Sequence, residues 1–296
     1  MPPEAGRKLA RWRHVQEKPI YWKNSLLKAE GRRIQWHSSA EPRSSQVLCI
    51  SAFGSLRHVP DVDEILTRLL AGILSFDCRL GPWQLISEHS ERSLLGEIGG
   101  GTPTCVDVLC TSPRAVVAIE SKFLFDAYEG FGCCMQASTK QCVGLYGPAS
   151  DLNPRTKGSS AANCRLAIDD GRRQARRYWN LGRTYFLDQV LNAQTKGETC
   201  PFAGPNIQLM RNLLFAAEAA RLPRKKFAVL CVVPQKPSAT VRNQISDFQG
   251  RILRDRYRAR VGIATYDDLI RFLETSTVQT SRPLGSLLQE RMKALL

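Results

Sequence analysis

Histidine is scarce in this chain, and long apolar runs are missing altogether. The 296 residues hold four histidines: His14, His37, His58 and His89. None has the paired spacing of a ligand set, which argues against a histidine-based metal or catalytic centre. No run of 18 or more apolar residues occurs, so a transmembrane helix is not expected. The basic start, Met1-Pro-Pro-Glu-Ala-Gly-Arg-Lys8, has no apolar segment behind it. No secretory signal is expected there, and the setting is read as cytoplasmic. No internal repeat is visible. Acidic residues are outnumbered, 27 against 42 lysines and arginines, for a formal charge of +15.

That charge imbalance is patchy. Arg7, Lys8, Arg11, Arg13, Lys18, Lys23, Lys28, Arg32 and Arg33 crowd the first segment, interleaved with Trp12, Trp22 and Trp36. A second cluster is Arg221, Arg224, Lys225 and Lys226, and a third is Arg251, Arg254, Arg256, Arg258 and Arg260. Such clusters suit a polyanion, and tryptophans among them suit stacking on bases. The plainer reading is a solvated surface, and membrane attraction is a lesser alternative. With 43% hydrophobic residues, the chain can bury a full core as one large domain or as a domain with an extension.

The most informative stretch runs from Thr104 to Phe123. Two β-prone apolar runs flank Thr111-Ser-Pro-Arg114, a plausible turn. Each run carries charge where a strand should be dry. Asp107 lies among Val106, Val108 and Leu109, and Glu120 and Lys122 follow Val116, Val117 and Ile119. Burying a carboxylate costs several kcal/mol unless something pairs with it, so the grouping suggests a divalent-metal site. Alternation puts Glu120 and Lys122 on one face. If Cys110 pairs with Ala115, Asp107 lies opposite Ala118 and Cys105 opposite Glu120. The two acids are then diagonal neighbours, about 7–8 Å apart at the backbone. A structural salt-bridge cluster is the competing reading.

Asp-(x)n-Glu-x-Lys on a β-hairpin resembles the signature of the PD-(D/E)xK nuclease superfamily. Asp107, Glu120 and Lys122 match its two acids and its lysine; Val106 stands where a proline is usual. Gln174-Ala-Arg-Arg-Tyr178 resembles the Gln-x-x-x-Tyr motif of RecB-type members. If residues 165–181 form a helix, Gln174 and Tyr178 share a face. The resemblance implies an α/β, restriction-endonuclease-like α-β-β-β-α-β core, with a mixed central sheet flanked by helices. It also implies a metal-dependent deoxyribonuclease with catalytic residues Asp107, Glu120, Lys122 and Gln174. Mg²⁺ or Mn²⁺ would be held by Asp107, Glu120 and the Ser121 carbonyl, with Glu97 or Glu64 as further acids within reach. Arg172, Arg173, Arg176, Arg177 and Tyr178 would line the nucleic acid. The expected partner is DNA, with RNA as an alternative. A homodimer or a partner protein of a defence system is a further expectation, in restriction, phage defence or recombination.

The rest of the chain is read around this core. Residues 1–45 read as a basic arm or accessory segment, 46–275 as the nuclease-like domain, and 276–296 as a tail with a final helix. Val47–Phe53 reads as an early strand. Asp61-Val-Asp-Glu64 reads as a capping box for a helix with an apolar stripe through Ile65, Leu66, Leu69, Leu70, Ile73 and Leu74. Trp83–Ser87 or Ser93–Ile98 supplies the first core strand. Ile207–Ala220 is a helix, Phe227–Val233 a buried strand, 238–257 a helix, Val261–Ala264 a strand and Tyr266–Glu274 a helix. Ten cysteines without a secretory signal read as reduced thiols. Cys133, Cys134, Cys142 and Cys164 fall in an insertion at about 124–164, where a structural zinc or an iron–sulfur cluster is the alternative to plain thiols. The competing function is a non-catalytic nucleic-acid-binding protein that keeps the fold.

Overall fold

The computed structural model describes residues 45–71, 81–98, 103–122, 174–193, 206–234 and 239–295, with isolated positions at 166, 168–169, 196, 198 and 200–202. The basic arm, the cysteine insertion with its four cysteines, and Arg172 and Arg173 lie outside the described residues.

The chain enters through α1 (Ser45–Leu56) and α2 (Val62–Ala71). An antiparallel meander follows: β1 (Gln84–Ser90), β2 (Cys105–Thr111) and β3 (Ala115–Ser121). Two short strands, β4 (Ile168–Asp169) and β5 (Gln174–Ala175), pair with each other. Next come α3 (Tyr178–Tyr185), α4 (Asp188–Leu191) and α5 (Ile207–Arg221). After β6 (Lys226–Val233), α6 (Ala239–Asp247) runs into a π-turn at Phe248–Ile252 and then α7 (Asp255–Arg258). The fold closes with β7 (Val261–Thr265), α8 (Tyr266–Glu274) and α9 (Arg282–Leu295).

The central sheet has five strands in the order β1-β2-β3-β6-β7. Its first three strands are antiparallel, while β6 and β7 run parallel to β3. This mixed sheet flanked by helices bears out the expected α/β core. The sequence α2-β1-β2-β3-α5-β6 supplies the α-β-β-β-α-β order.

Strand alternation explains why both faces are covered. Val116 and Ala118 point into a layer with Leu209, Met210 and Leu213 of α5. Val117 and Ile119 point into the other layer, with α1, α2, α8 and α9. Every residue of β3 is buried, as a central strand between two helical layers must be. α8 is fixed at its start by a capping box. Thr265 accepts from the Asp268 N–H at 3.0 Å, and the Asp268 carboxylate accepts from the Thr265 N–H at 2.9 Å.

Three local readings change. Val47–Phe53 is part of helix α1, not a strand. Leu48, Cys49, Ile50, Ala52 and Phe53 are all buried, and a continuous apolar run fits a fully buried helix as well as a strand. Asp61 does not serve as a side-chain cap. Both of its carboxylate oxygens accept hydroxyls from the C-terminal region, from Ser276 and Ser281. The helix expected at 165–181 starts only at Tyr178, because residues 168–169 and 174–175 form the small β4–β5 ladder. The stripe on α2 is as expected for Ile65, Leu66, Leu69 and Leu70; Ile73 and Leu74 lie outside the described residues.

Candidate metal centre at the β2–β3 hairpin

The hairpin is tighter than the sequence reading proposed. Ser112 N–H donates to the Ala115 carbonyl at 2.9 Å, and the Ser112 hydroxyl accepts from the N–H groups of Arg114 and Ala115. Pro113 and Arg114 are therefore the two loop residues. Cys110 pairs with Val117 and Leu109 with Ala118, so continuing the register sets Asp107 opposite Glu120. The pairing is shifted by two residues from the expected one. An even shift leaves every side chain on its face, which is why the acids still converge.

Glu120 is buried, with 2% of its surface exposed, and its carboxylate is fully engaged. Lys122 Nζ lies 2.8 Å from Oε1, and Asn212 Nδ2 donates to Oε2 at 2.7 Å. Lys122 also donates to Gln208 Oε1 at 2.8 Å. Gln208 and Asn212 are i and i+4 on α5, so one helical face meets both charged residues of the strand end. The end of β3 is held from behind. Ser121 Oγ lies 2.6 Å from the Tyr266 hydroxyl and 3.3 Å from the Ser45 carbonyl, and Lys122 N–H donates to the Val232 carbonyl at 2.9 Å.

Asp107 is partly buried and accepts the Ser121 N–H on Oδ2 at 2.7 Å. Loss of solvent and the neighbouring Glu120 charge hold its carboxyl well above the usual carboxylate range, against the pull of Lys122 and the Ser121 N–H. Glu88 adds a third negative charge acting on Asp107. Glu88 sits between the pairs Ser87–Val108 and His89–Val106, and its φ of 50° lies in the left-handed region. The alternation of β2 breaks at the same place: Val108 belongs to one core layer and Val106 to the other. Glu88 was missed from sequence because its strand gives only a weak alternating pattern. Cys105 Sγ lies 3.6 Å from Glu88 Oε2, and burial together with Glu88 pushes that thiol well up.

The other expected site residues are placed elsewhere. Glu97 is buried in its own network. Its carboxylate accepts from Thr104 N–H at 2.8 Å, Thr104 Oγ1 at 3.1 Å, Arg211 at 3.1 Å and the Tyr178 hydroxyl. Tyr178 is therefore an anchor inside the core rather than an exposed base-stacking surface, and burial pushes its hydroxyl up to about 12. Arg177 spans the Leu94 carbonyl at 3.1 Å and Glu218 at 2.9 Å. Arg176 is half-buried. Glu64 pairs at the surface with Arg68, one turn along α2. Gln174 pairs with Asp169 in the β4–β5 ladder, four residues before α3 begins, so it shares no helix face with Tyr178.

The helix that meets the hairpin is α5. Gln208 and Asn212 went unnoticed in the sequence, although a signal exists. They are polar residues one turn apart in a helix whose neighbouring positions, Leu209, Met210, Leu213 and Leu214, are all buried. Two carboxylates and the Ser121 main-chain carbonyl are oxygen donors of the kind a hard divalent cation takes. The charge balance fits too, because a cation would offset the negative charges of Glu120 and Glu88 that act on Asp107. Among the described residues, no three His, Cys, Asp or Glu side chains stand together as a metal-holding group.

The five-stranded mixed sheet between two helical layers is a restriction-endonuclease-like α/β fold. The family model described as restriction endonuclease associating with ARP matches residues 21–291, and the chain belongs to that family. The match begins inside the segment read from sequence as a separate arm. No curated protein and no solved structure matches. No helix among the described residues is long and apolar enough to cross a membrane.

Proposed function

We propose that this protein is a divalent-metal-dependent nuclease acting on DNA, of the PD-(D/E)xK type, with its centre at Asp107, Glu120 and Lys122. The observation that carries the reading is the convergence of Asp107, Glu120 and Lys122 at the C-terminal end of β3, with Lys122 Nζ 2.8 Å from Glu120. Asp107, Glu120 and the Ser121 carbonyl would hold Mg²⁺ or Mn²⁺, which supplies charge stabilisation at the scissile phosphate and a more acidic bound water. The chain's own residues prepare that site. Asn212 fixes one oxygen of Glu120 and so its orientation. Gln208 accepts from Lys122 and fixes where the ammonium sits. Lys122 offers a cation to a phosphate oxygen or a handle on the attacking water. Membership of a family of restriction endonucleases associating with ARP suggests ARP as a partner, and restriction or phage defence is a natural setting for that pairing.

A second reading has one observation in its favour. Lys122 and Asn212 already satisfy both oxygens of Glu120, so the cluster could be a closed structural ion pair in a non-catalytic DNA-binding protein. The test is incubation of supercoiled plasmid and of linear duplex with the full chain in Mg²⁺, in Mn²⁺ and in EDTA. Cutting in metal and none in EDTA supports the nuclease. Salt-sensitive binding with no cutting under any of the three conditions supports the binder.

A further inference from the structure

The two later basic clusters, separated in sequence, meet at the end of the sheet away from the hairpin acids. β3, β6 and β7 are parallel, so their starts lie together. Each start carries a cation. Arg114 precedes β3, Lys226 opens β6 and Arg260 precedes β7. Lys226 N–H donates to the Arg114 carbonyl at 2.8 Å, and Val229 N–H to the Arg260 carbonyl at 2.8 Å. These positions form a staggered row: Arg114 and Lys226 adjoin across about 4.8 Å, and Arg260 stands level with Ala228, two residues further along β6. Arg114 lies about 23 Å from Ser121 along β3, at ~3.3 Å per residue.

Aromatic rings bind this row to α7. Tyr185 stacks edge-on with Phe227 at 5.5 Å and with Tyr257 at 4.9 Å. The Arg256 guanidinium lies 4.8 Å over the Tyr257 ring, and that of Arg260 lies 5.6 Å over Phe227. Rings beneath the guanidiniums hold them in place, which lowers the cost of ordering them on a ligand. Arg114, Arg224 and Arg256 are exposed. Among the described residues, the acids nearby are already matched: Glu218 by Arg177 and Arg221, Asp255 by Arg258 and Asp188 by Arg254. The surplus at this end is therefore positive.

We propose that this end of the sheet is a second docking surface, which takes the phosphate backbone of duplex DNA at a distance from the cleavage centre. The choice of DNA rests on the nuclease reading, but the surface acts without metal and without chemistry. Cations at separate points, Arg114 in the hairpin turn, Arg224 in the turn before β6 and Arg256 on α7, suit repeated phosphates. Its consequence is that the enzyme grips a duplex at two ends of one sheet.

The test is titration of a fluorescent 30-base-pair duplex of arbitrary sequence with the full chain in EDTA, over a range of salt concentrations. Wild type is compared with the triple variant Arg114→Ala, Arg224→Ala, Arg256→Ala. The expected result is a slope of log K against log salt that is smaller by about 2–3, at ~0.9 per released contact, with binding weakened about tenfold or more. Arg256→Lys, which keeps the charge, retains the slope. If the triple variant melts early, the single Arg224→Ala and Arg256→Ala variants replace it, each with a drop of about 0.9. An unchanged slope and affinity in the folded variants overturns the proposal. So does unchanged DNA binding with lost binding of polyglutamate, which would assign the surface to an acidic protein. A drop in slope with no cleavage by wild type sinks the nuclease reading alone, and cleavage with an unchanged slope sinks this one alone.

Discussion

Asp107 is the residue where the competing forces are easiest to separate. Burial and Glu120 raise its pKa, while Lys122 and the Ser121 N–H oppose them with less effect. Its folded pKa lies above the unfolded value of about 3.9. Its contribution to stability is therefore fully present below pH ~4 and is lost as the pH rises through the folded pKa. Metal-free wild type should lose stability over that rise, and Asp107→Asn, whose amide oxygen can still accept the Ser121 N–H, should lack that limb. Melting curves from pH 4 to pH 8 in EDTA, at roughly 2–4 °C per kcal/mol for a chain of this size class, read the difference. Added Mn²⁺ should restore stability at pH 8 in wild type and not in the variant. Asn212 is the second informative residue. Asn212→Ala leaves a buried carboxylate oxygen without its donor and should cost about 1–3 kcal/mol in denaturant unfolding.

At the scale of elements, the hairpin and helix α5 make the site, and they were not equally legible. Asp107, Glu120 and Lys122 stood out because charge inside a β-branched run is rare and needs a reason. The register could not be read, because Thr111-Ser-Pro-Arg114 allows more than one turn and only the Ser112 side chain decides it. Gln174-Ala-Arg-Arg-Tyr178 satisfied a spacing rule without being a helix, so its i, i+4 geometry never arose. The polar side chains that meet the hairpin come instead from α5, Gln208 and Asn212, whose partners Lys122 and Glu120 are distant in sequence. Glu97 was visible as an acid near the hairpin. Its capture by Thr104, Tyr178 and Arg211 depends on three segments meeting. The closing unit β7–α8 was legible almost to the residue, because its hydrophobic pattern and its cap agree. Thr265→Ala should cost α8 about 1 kcal/mol, measured as a shift in the denaturant midpoint. Gly182 on α3 shows a packing constraint that sequence hides. A Cβ there would lie 2.3 Å from the Phe186 ring, so Gly182→Ala should destabilise by about 1–3 kcal/mol.

At the scale of the whole molecule, the two ends of the sheet carry different charge. Asp107 of β2, Glu120 of β3 and Lys122 stand at one end, and Arg114, Arg224 and Arg256 at the other. Both faces between those ends are sealed by helices, α5 on one side and α1, α2, α8 and α9 on the other. The central claim is that the acids at the C-terminal end of β3 form the cutting centre of a restriction-endonuclease family member. Its most direct test is the rate of supercoiled plasmid cleavage in Mn²⁺ by wild type, Asp107→Asn and Lys122→Ala, each at equal folded concentration. The account predicts cutting by wild type, and loss of at least about a hundredfold in both variants, as expected when a group acting on the reacting centre is removed. Cleavage by Asp107→Asn at the wild-type rate would contradict it and move the centre elsewhere in the chain.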